Sequence, residues 1–398
     1  MRKIAIVCPR YGIEIRDKEV RFARMLAENL MQRYEVEVLT TRALDSSTWR
    51  NWYAREYETV KGVNVHRFKV THEKAADFNS YTSTYLQQCR EGAKSVGVES
   101  LWIEKHGPQS PDCIRHLMFH RFDYDAVIFV GHMNYLTVAG IPEVRDRAIL
   151  IPLIDGNQPY FQFTIMQKMF AMANGFIFLS DEERMFVRQK FRTQGIPCEV
   201  MGASVDIPDN VNASDFYRKY RINDFYLAYS GRVDESKSCD LMFDYFCEYK
   251  ARNPQSPLKL LLMGKVYCEV PERDDIISLG DIPESDRLNG IAGAGVFVYP
   301  ARHEAIPESV MRAMALGVPV LVSGGSEAMK NLCIKSNAGL FCNNFFEFEG
   351  ALNLMLSRED VYEAMSRNAI AYTKQTSQWD TAVEKFVKLF TKPRIPGI

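Results

Sequence analysis

The sequence predicts an α/β protein with two doubly wound, Rossmann-like domains in series. Short apolar segments alternate with amphipathic ones along the chain, a pattern typical of parallel sheets covered by helices on both faces. The alternation is broken once, at residues 200–209, by a segment containing Gly, Pro and Asp. The length of 398 residues also exceeds the roughly 250–300 residues that one hydrophobic core usually reaches.

In the first half, the apolar segment at residues 3–9 predicts a buried parallel strand. Apolar side chains then recur at helical spacing through residues 18–33, and a strand is predicted at residues 36–41. Further strands, with helical segments between most of them, are predicted at residues 63–68, 126–130, 148–153 and 176–179. Residues 1–207 are therefore predicted to form the first domain.

The alternation restarts after the break, and residues 208–375 are predicted to form the second domain. Its strands are predicted at residues 226–230, 258–263, 276–279, 296–299 and 318–322. Helices are predicted at residues 239–252, 283–292 and 308–316. Residues 376–398 are predicted to add a helix that packs back on the first domain. Because open α/β sheets bind ligands at the carboxyl ends of their strands, the two domains are expected to face each other across a cleft.

Composition excludes several classes of protein. The formal net charge of −1 argues against binding nucleic acid by bulk electrostatics. The nine cysteines lack metal-ligand spacing, so reduced thiols and no metal site are expected. The N-terminal apolar stretch is too short for a signal peptide, and no apolar stretch reaches the roughly 18 residues of a membrane span. A cytoplasmic protein is expected, with peripheral association at the inner face of a membrane as a further expectation.

Two Rossmann-like domains fit a transferase, a dehydrogenase, an epimerase or a periplasmic-type binding protein. No GxGxxG follows the first strand, which argues against dinucleotide binding. The segment YSGRVDESK, residues 229–237, instead places Gly231, Arg232 and Lys237 between a strand and a helix. An arginine fork and a mobile lysine would neutralise a diphosphate leaving group. A surface turn with two solvated cations remains the alternative.

A second segment, residues 299–317, runs from a strand through a loop containing Glu304 to a helix that starts near Glu308. Backbone N–H groups at such a helix start can bind an anion. Glu304 is a candidate acceptor for the hydroxyl groups of a sugar. A capping or salt-bridging carboxylate is an equally open interpretation of Glu304.

Four sequence elements occur in a fixed order: GR…K at 231–237, LLLMG at 260–264, ISLGDIPESD at 277–286, and E…AMALGVPVLVS at 304–323. Together they resemble the retaining GT-B enzymes of glycosyltransferase family 4, and the resemblance covers nearly the whole chain. The segments PRYGIEI and EVEVLTTRALDSSTWRNWY also look like a bacterial subgroup that builds surface polysaccharides. The resemblance implies an acceptor-side first domain and a nucleotide-sugar donor site in the second.

The resemblance also assigns individual residues. Arg232 and Lys237 match the cations that hold the donor diphosphate, and Glu304 matches the glutamate that contacts the donor sugar. Ile282 and Glu284 fall in the loop that contacts the nucleotide base. The remaining donor-binding positions that it implies are Gly231, Ala305, Ile306, Pro307 and Glu308.

One position of the motif differs from the family. A second glutamate, which accepts hydrogen bonds from both ribose hydroxyls, is replaced here by Arg312. Because a guanidinium group only donates hydrogen bonds, Arg312 cannot make that contact. Arg312 could instead meet a phosphate or pair with Glu308 one helical turn earlier, and Glu308 is itself a candidate for the ribose contact.

Three further candidates lie in the first domain. Asp17 and Lys18 stand where the family has two glycines, so their side chains would crowd the cleft unless the loop is displaced. Lys18 would then supply a compensating cation. Asp155 stands where the subgroup has a His-Asp-Glu run, and it is a candidate acceptor for a sugar hydroxyl. His132 is a candidate for the acceptor side, with a hydrogen-bonded loop histidine as the alternative.

The function implied is transfer of a sugar from a nucleoside diphosphate donor to a hydroxyl of a glycan or lipid-linked acceptor. Retention of configuration, no metal and no cofactor are expected, in the biosynthesis of surface polysaccharide. The alternative is a weak or inactive homologue that serves as a glycan-binding or partner subunit, because several motif positions are altered.

Overall fold

The structure is a computed structural model. It describes residues 2–391, apart from residues 16, 93–94, 155–157, 203–204, 206, 209, 223–224, 303–305 and 377–378. The chain forms two compact units, Met1–Met201 with Ala382–Ile398, and Gly202–Thr381. The division therefore falls a few residues before the predicted boundary at residue 207.

The first unit contains an eight-stranded sheet in the order β3-β4-β2-β1-β5-β6-β7-β8. All neighbouring strands are parallel except β3 and β4. The strands are β1 Lys3–Val7, β2 Glu35–Thr41, β3 Tyr57–Val60, β4 Val63–Phe68, β5 Ala126–Val130, β6 Ala148–Ile151, β7 Gly175–Phe178 and β8 Cys198–Val200. The helices are α1 Lys18–Leu30, α2 Phe78–Arg90, α3 Val96–His106, α4 Pro111–His120, α5 Tyr135–Glu143, α6 Thr164–Met172 and α7 Asp181–Lys190.

The predicted strands of this unit are all present because each carries an apolar segment that is buried. The five residues of β5, for example, are all buried. Strands β3 and β8 were not predicted, since they lie at the two edges of the sheet and none of their residues is fully buried. Edge strands bury less surface than central ones, so their sequences need no continuous apolar segment.

The second unit contains a six-stranded sheet in the order β11-β10-β9-β12-β13-β14, in which every pair is parallel. Its strands are β9 Tyr226–Ser230, β10 Lys259–Met263, β11 Ile276–Ser278, β12 Val296–Tyr299, β13 Val320–Ser323 and β14 Gly339–Cys342. Its helices are α8 Ala213–Tyr220, α9 Cys239–Arg252, α10 Glu284–Ala292, α11 Glu308–Ala315, α12 Glu327–Ser336, α13 Phe345–Ser357 and α14 Glu359–Thr376.

Each sheet has a point at which the strand order reverses. In the second unit the chain runs outward from β9 to β10 and β11, and then returns to β12 and continues to β13 and β14. In the first unit the corresponding neighbours are β1 and β5. Open α/β sheets bind ligands at such points, beyond the carboxyl ends of the strands. The loops after β9 and β12, and those after β1 and β5, are therefore the places where a site is expected.

The last helix, α15 Trp379–Thr391, carries the segment from Ala382 onward that belongs to the first unit. The ammonium group of Lys385 donates a hydrogen bond of 2.6 Å to the carbonyl oxygen of Val200. Glu384 forms an ion pair with Arg33, and Phe386 is fully buried. The part of α15 that carries these residues therefore packs within the first unit. No helix in the described part of the chain is long and apolar enough to cross a membrane.

Candidate functional site

The turn after β9 is held close to the turn after β10. A Cβ atom on Gly264 would lie 1.8 Å from the carbonyl oxygen of Gly231, so this contact requires the absence of a side chain. The hydroxyl of Tyr229 donates a hydrogen bond of 2.6 Å to the carbonyl oxygen of Arg232, and Val233 pairs with Val266 in the next loop. The backbone that carries Arg232 is thus fixed from both sides.

Arg232 and Lys237 are organised around one carboxylate on their own turn. Nη2 of Arg232 lies 3.1 Å from Oδ2 of Asp234, while the Arg232 side chain remains 60% exposed. Oδ1 of Asp234 accepts hydrogen bonds from the Ser236 hydroxyl at 2.6 Å and the Lys237 backbone N–H at 3.0 Å. Partial burial raises the pKa of Asp234, but these hydrogen bonds and the two cations outweigh it and lower the pKa. The ionised carboxylate therefore orients Arg232 at the carboxyl end of β9.

The segment after β12 leads into α11. Glu304 and Ala305, which were predicted to contact the donor sugar, lie outside the described residues. Ile306 and Pro307 follow, and Pro307 is the N-cap residue of α11 without a side-chain cap. The first residue of α11 is Glu308. The backbone N–H groups at the start of α11, where an anion site was predicted, therefore receive no hydrogen bond from the side chain of the N-cap residue, Pro307.

Arg312 lies inside the second unit and pairs with carboxylates on two helices. Its side chain is only 5% exposed. Nη2 of Arg312 lies 3.0 Å from Oε1 of Glu308, and Nη1 pairs with Oε1 of Glu284, the first residue of α10. The ion pair with Glu308, one of the two roles considered for Arg312, is present. The contact with Glu284, 28 positions away, was not predicted.

The pairing of Glu284 with Arg312 belongs to a longer chain of ion pairs. Nη1 of Arg287 lies 3.5 Å from Oε2 of Glu284, and its Nη2 lies 3.2 Å from Oδ1 of Asp281. Oδ2 of Asp281 is in turn 3.9 Å from Nζ of Lys265, in the loop after β10. Cations and anions alternate along this chain, which links the loops after β10 and β11 to the start of α11.

In the first unit, the loop between β1 and α1 is closed by an ion pair. The carboxylate of Asp17 pairs with the buried guanidinium group of Arg10, and Nη1 of Arg10 donates to the carbonyl oxygen of Leu44 at 3.3 Å. Asp17 is the N-cap residue of α1, yet its side chain makes no cap hydrogen bond. Lys18 is the first residue of α1 and is exposed. The ion pair between Arg10 and Asp17 was not predicted, because the family resemblance assigns a glycine to the position of Asp17.

His132 follows β5 and is nearly buried. Its Nδ1 lies 2.7 Å from the carbonyl oxygen of Pro152. Because a carbonyl only accepts, Nδ1 donates this hydrogen bond. Nε2 lies 3.3 Å from the hydroxyl of Tyr160. Both ring nitrogens thus have partners within the unit, which favours the alternative of a hydrogen-bonded loop histidine.

Asp155 lies outside the described residues, but the backbone leading to it has two special features. Leu153 has φ of +55°, a conformation that is unfavourable for a residue with a side chain. The backbone N–H groups of Ile154 and Leu179 each donate a 2.8 Å hydrogen bond to the carboxylate of the buried Glu183. Glu183 was not predicted from the sequence, because its run of acidic neighbours resembles an ordinary helix start.

A cavity of about 300 Å³ lies on one face of the second sheet at the carboxyl ends of β12, β13 and β14. Its lining residues are Leu241, Met242, Tyr245, Val298, Tyr299, Pro300, Arg302, Leu321, Val322, Ser323, Gly325, Cys342, Asn343 and Phe348. Of the predicted site residues that the structure describes, none lines this cavity. Among the described residues, no group of three or more His, Cys, Asp and Glu is arranged to hold a metal ion.

Residues 224–357 match the family model described as glycosyl transferases group 1. This segment contains the turn that carries Arg232, the starts of α10 and α11, and the chain of ion pairs that runs from Lys265 to Glu308. A relative from Haemophilus influenzae, described as an uncharacterized glycosyltransferase, is 21% identical over 220 residues, which are 53% of this chain and 58% of the relative. The chain thus spans little more than half the length of that relative. Both matches support a glycosyltransferase.

Solved structures of glycosyltransferases are similar over nearly the full chain. Sucrose-phosphate synthase from Thermosynechococcus elongatus has a TM-score of 0.66 at 14% identity, over 98% of both chains. Anabaena HepE in complex with UDP and glucose has a TM-score of 0.67 at 12% identity, over 98% of this chain and 99% of HepE. WaaG, involved in lipopolysaccharide biosynthesis, has a TM-score of 0.61 at 13% identity, over 98% and 100%. The predicted GT-B fold is confirmed.

Proposed function

We propose that this chain is a glycosyltransferase that moves a sugar from a nucleoside diphosphate donor to a hydroxyl group of a glycan or lipid-linked acceptor. The observation that carries the proposal is the position of Arg232. Its exposed guanidinium group lies at the carboxyl end of β9, beside the point where the strand order reverses, which is where such sheets bind ligands. The family match over residues 224–357 supports the same conclusion.

The proposed chemistry follows from the charges at this edge of the sheet. Arg232, Lys237 and the N-terminus of α11 would stabilise the negative charge that develops on the departing diphosphate. A guanidinium group suits this role because it can donate two parallel hydrogen bonds to phosphate oxygens. We propose retention of configuration without a metal, with the departing diphosphate itself assisting the incoming hydroxyl. Glu304 would contact the transferred sugar, and Ile282 the base.

The biological role belongs to the same proposal. The resemblance of residues 9–15 and 35–53 to enzymes that build bacterial surface polysaccharide supports a role in that process. We propose a cytoplasmic location at the inner face of the membrane, supported by Trp52, which is 70% exposed and lies between the exposed Arg50 and Arg55. Failure to co-sediment with vesicles of phosphatidylglycerol and phosphatidylethanolamine would argue against this location.

Titration calorimetry with a panel of nucleoside diphosphates and nucleotide sugars tests the donor site. We expect at least one to bind, and Arg232→Ala to weaken its binding about ten- to a hundredfold, because a hydrogen bond to a charged group contributes about 1.5–3 kcal/mol. Arg218→Ala is the matched control, since Arg218 is an exposed arginine of the same unit that lies 3.3 Å from Asp215. Binding of no nucleotide at all would contradict the proposal.

A second candidate function is a weak or inactive homologue that binds glycans or a partner subunit. The arrangement of Arg312 favours it, because a buried cation held by two carboxylates replaces the glutamate expected at a functional motif position. A radiolabelled donor separates the two candidates. Transfer to a glycan acceptor, or slow release of the sugar to water, supports the enzyme, whereas donor binding without either reaction supports the homologue.

A further inference from the structure

The cavity of about 300 Å³ in the second unit lies on the face of the sheet that α9 covers. Its walls include Leu241, Met242 and Tyr245 of α9, and Phe348 of α13. The chain runs from β9 to β10 in one direction along the sheet and from β12 to β13 in the other. Because crossovers between parallel strands are right-handed, α9 and α11 cover opposite faces. The cavity is therefore on the face opposite α11.

Two glycines after β13 make room for polar side chains at this cavity. A Cβ atom on Gly324 would lie 2.3 Å from Oδ1 of Asn343, and one on Gly325 would lie 3.1 Å from Cβ of Arg302. Asn343 and Arg302 both line the cavity. The absence of side chains on the two glycines thus lets Asn343 and the stem of Arg302 pack directly on the backbone beside the cavity.

The charge at the cavity favours an anion. Among the lining residues that the structure describes, Arg302 is a cation and none is an aspartate or a glutamate. Burial raises the pKa of Tyr245, and the charge of Arg302 and a hydrogen bond from its guanidinium group oppose this rise. The hydroxyl of the buried Ser323 accepts a 3.2 Å hydrogen bond from the Gly325 N–H, which leaves its own hydrogen to donate. One cation and hydroxyl donors fit a carboxylate.

The size and polarity of the remaining walls restrict the rest of the ligand. Val298, Leu321 and Val322 line the cavity together with the side chains of α9 and α13. A dry cavity of about 150 Å³ binds benzene, so about 300 Å³ holds one ring with a short acidic arm. Tyr245 and Phe348, with ring centroids 5.6 Å apart, offer aromatic partners to such a ring. The hydroxyl groups of a sugar would lack partners against these apolar walls.

We propose that this cavity is a second ligand site, which binds a small organic carboxylate with one aromatic ring. Its carboxylate would accept hydrogen bonds from Arg302 and Ser323, and its ring would pack against Tyr245 and Phe348. The inference is independent of the proposed function, because none of the predicted donor-binding residues that the structure describes lines the cavity.

Titration of the full chain with 3-phenylpropionate, its uncharged analogue 3-phenylpropionamide and propionate, followed by ligand-observed NMR, tests the site. We expect 3-phenylpropionate to bind about tenfold or more tightly than the amide, as for a hydrogen bond between charged groups. Propionate, which lacks the ring, should bind more weakly than 3-phenylpropionate. In Arg302→Gln the preference for the carboxylate over the amide should fall toward one. Leu241→Trp, which enlarges a partly buried wall residue, should abolish binding of both.

The controls are Arg367→Gln, an exposed arginine on α14, and Leu354→Trp, a 38% exposed leucine on α13. Both should leave the affinity for 3-phenylpropionate and the preference over the amide unchanged. Circular dichroism checks that each variant is folded.

Four results would overturn the inference. They are failure of 3-phenylpropionate to bind, equal affinity for the amide in wild type, an unchanged preference in Arg302→Gln, and unchanged binding in a folded Leu241→Trp. Displacement of 3-phenylpropionate by a nucleotide would also overturn it, since the probe would then occupy the donor site. Binding of 3-phenylpropionate by a protein that binds no nucleotide would contradict the proposed function alone.

Discussion

At the scale of single residues, the structure separates side chains with structural partners from those open to a ligand. Both ring nitrogens of His132 have partners within the first unit, and Glu183 holds two backbone N–H groups. Arg232, in contrast, contacts a neighbouring carboxylate and a serine hydroxyl on its own turn and is largely exposed. Exposure combined with orientation by Asp234 is what makes Arg232 the better candidate for binding a substrate.

Partly buried histidines make the stability of the first unit depend on pH. Burial, together with the neighbouring His66 and His120, lowers the pKa of His116 to about 4, and burial lowers the pKa of His106 to about 4 as well. An unfolded histidine titrates near 6.5. The unfolded chain therefore binds more protons between these values, and the free energy of unfolding should decrease as the pH falls from about 6.5 to about 4.

Chemical denaturation at pH 7.5 and pH 5.0 measures this effect. His116→Gln should reduce the loss of stability between the two pH values, since it removes one of the groups that must be protonated. The control is His72→Gln, which alters an exposed histidine. If the free energy of unfolding depended on pH equally in wild type and in His116→Gln, the lowered pKa of His116 would be contradicted.

At the scale of secondary-structure elements, the position of the site follows from how strands end. The loops after β9 and β10 can approach each other only because Gly264 has no side chain. Helices α10 and α11 start within the same tetrapeptide, Ile-Pro-Glu-Ser, and are joined by one arginine. Each of these contacts joins two elements, so a substitution in one element should shift the backbone or side chains of the other.

Gly264→Ala tests the coupling between the two loops. A Cβ atom would collide with the carbonyl oxygen of Gly231 at 1.8 Å, so the backbone before Arg232 must shift. We expect a loss of about 1–3 kcal/mol in the free energy of unfolding, as for overpacking, together with weaker nucleotide binding. Denaturant titration and calorimetry measure the two effects.

The matched control is Gly350→Ala, in α13, where no atom lies within 4 Å of the position that the new methyl group would take. This change should stabilise the protein by up to about 1 kcal/mol, because alanine favours a helix more than glycine does. If Gly264→Ala behaved like Gly350→Ala, the close contact between the two loops would not exist in solution.

At the scale of the whole molecule, the chain crosses from the second unit to the first within α15. Buried Ala382, Val383 and Phe386 lie on this helix, and Leu389 approaches Gly175 at the start of β7. The stability of the first unit should therefore depend on residues at the far end of the chain.

Phe386→Ala tests this dependence. Removing a fully buried phenylalanine usually lowers the free energy of unfolding by about 3–5 kcal/mol, and the loss should appear in the transition of the first unit. Phe346→Ala is the control, because Phe346 is 71% exposed and lies in the second unit. Calorimetric melting measures the decrease in melting temperature of each variant. Equal decreases in Phe386→Ala and Phe346→Ala would contradict the packing of α15 in the first unit.

The sequence by itself determined the α/β class, most of the central strands and the turn that carries Arg232 and Lys237. These features are local: a buried parallel strand needs a continuous apolar segment, and a strand–turn–helix junction shows in a few consecutive residues. The edge strands β3, β8 and β14 were missed because they bury little surface. The order of motifs along the chain also sufficed to indicate the GT-B fold.

Only the tertiary structure decided which side chains meet. Arg312 and Glu284 stand 28 positions apart, as do His132 and Tyr160, and nothing in the local sequence of either pair points to the other. Their proximity depends on the strand order, which brings separate strand ends to one edge of each sheet. Ion pairs between elements are therefore a property of the folded topology, and this is why the pairing of Arg312 with Glu284 could be recognised only once the fold was known, whereas the pair with Glu308 lies within one helix and was predicted.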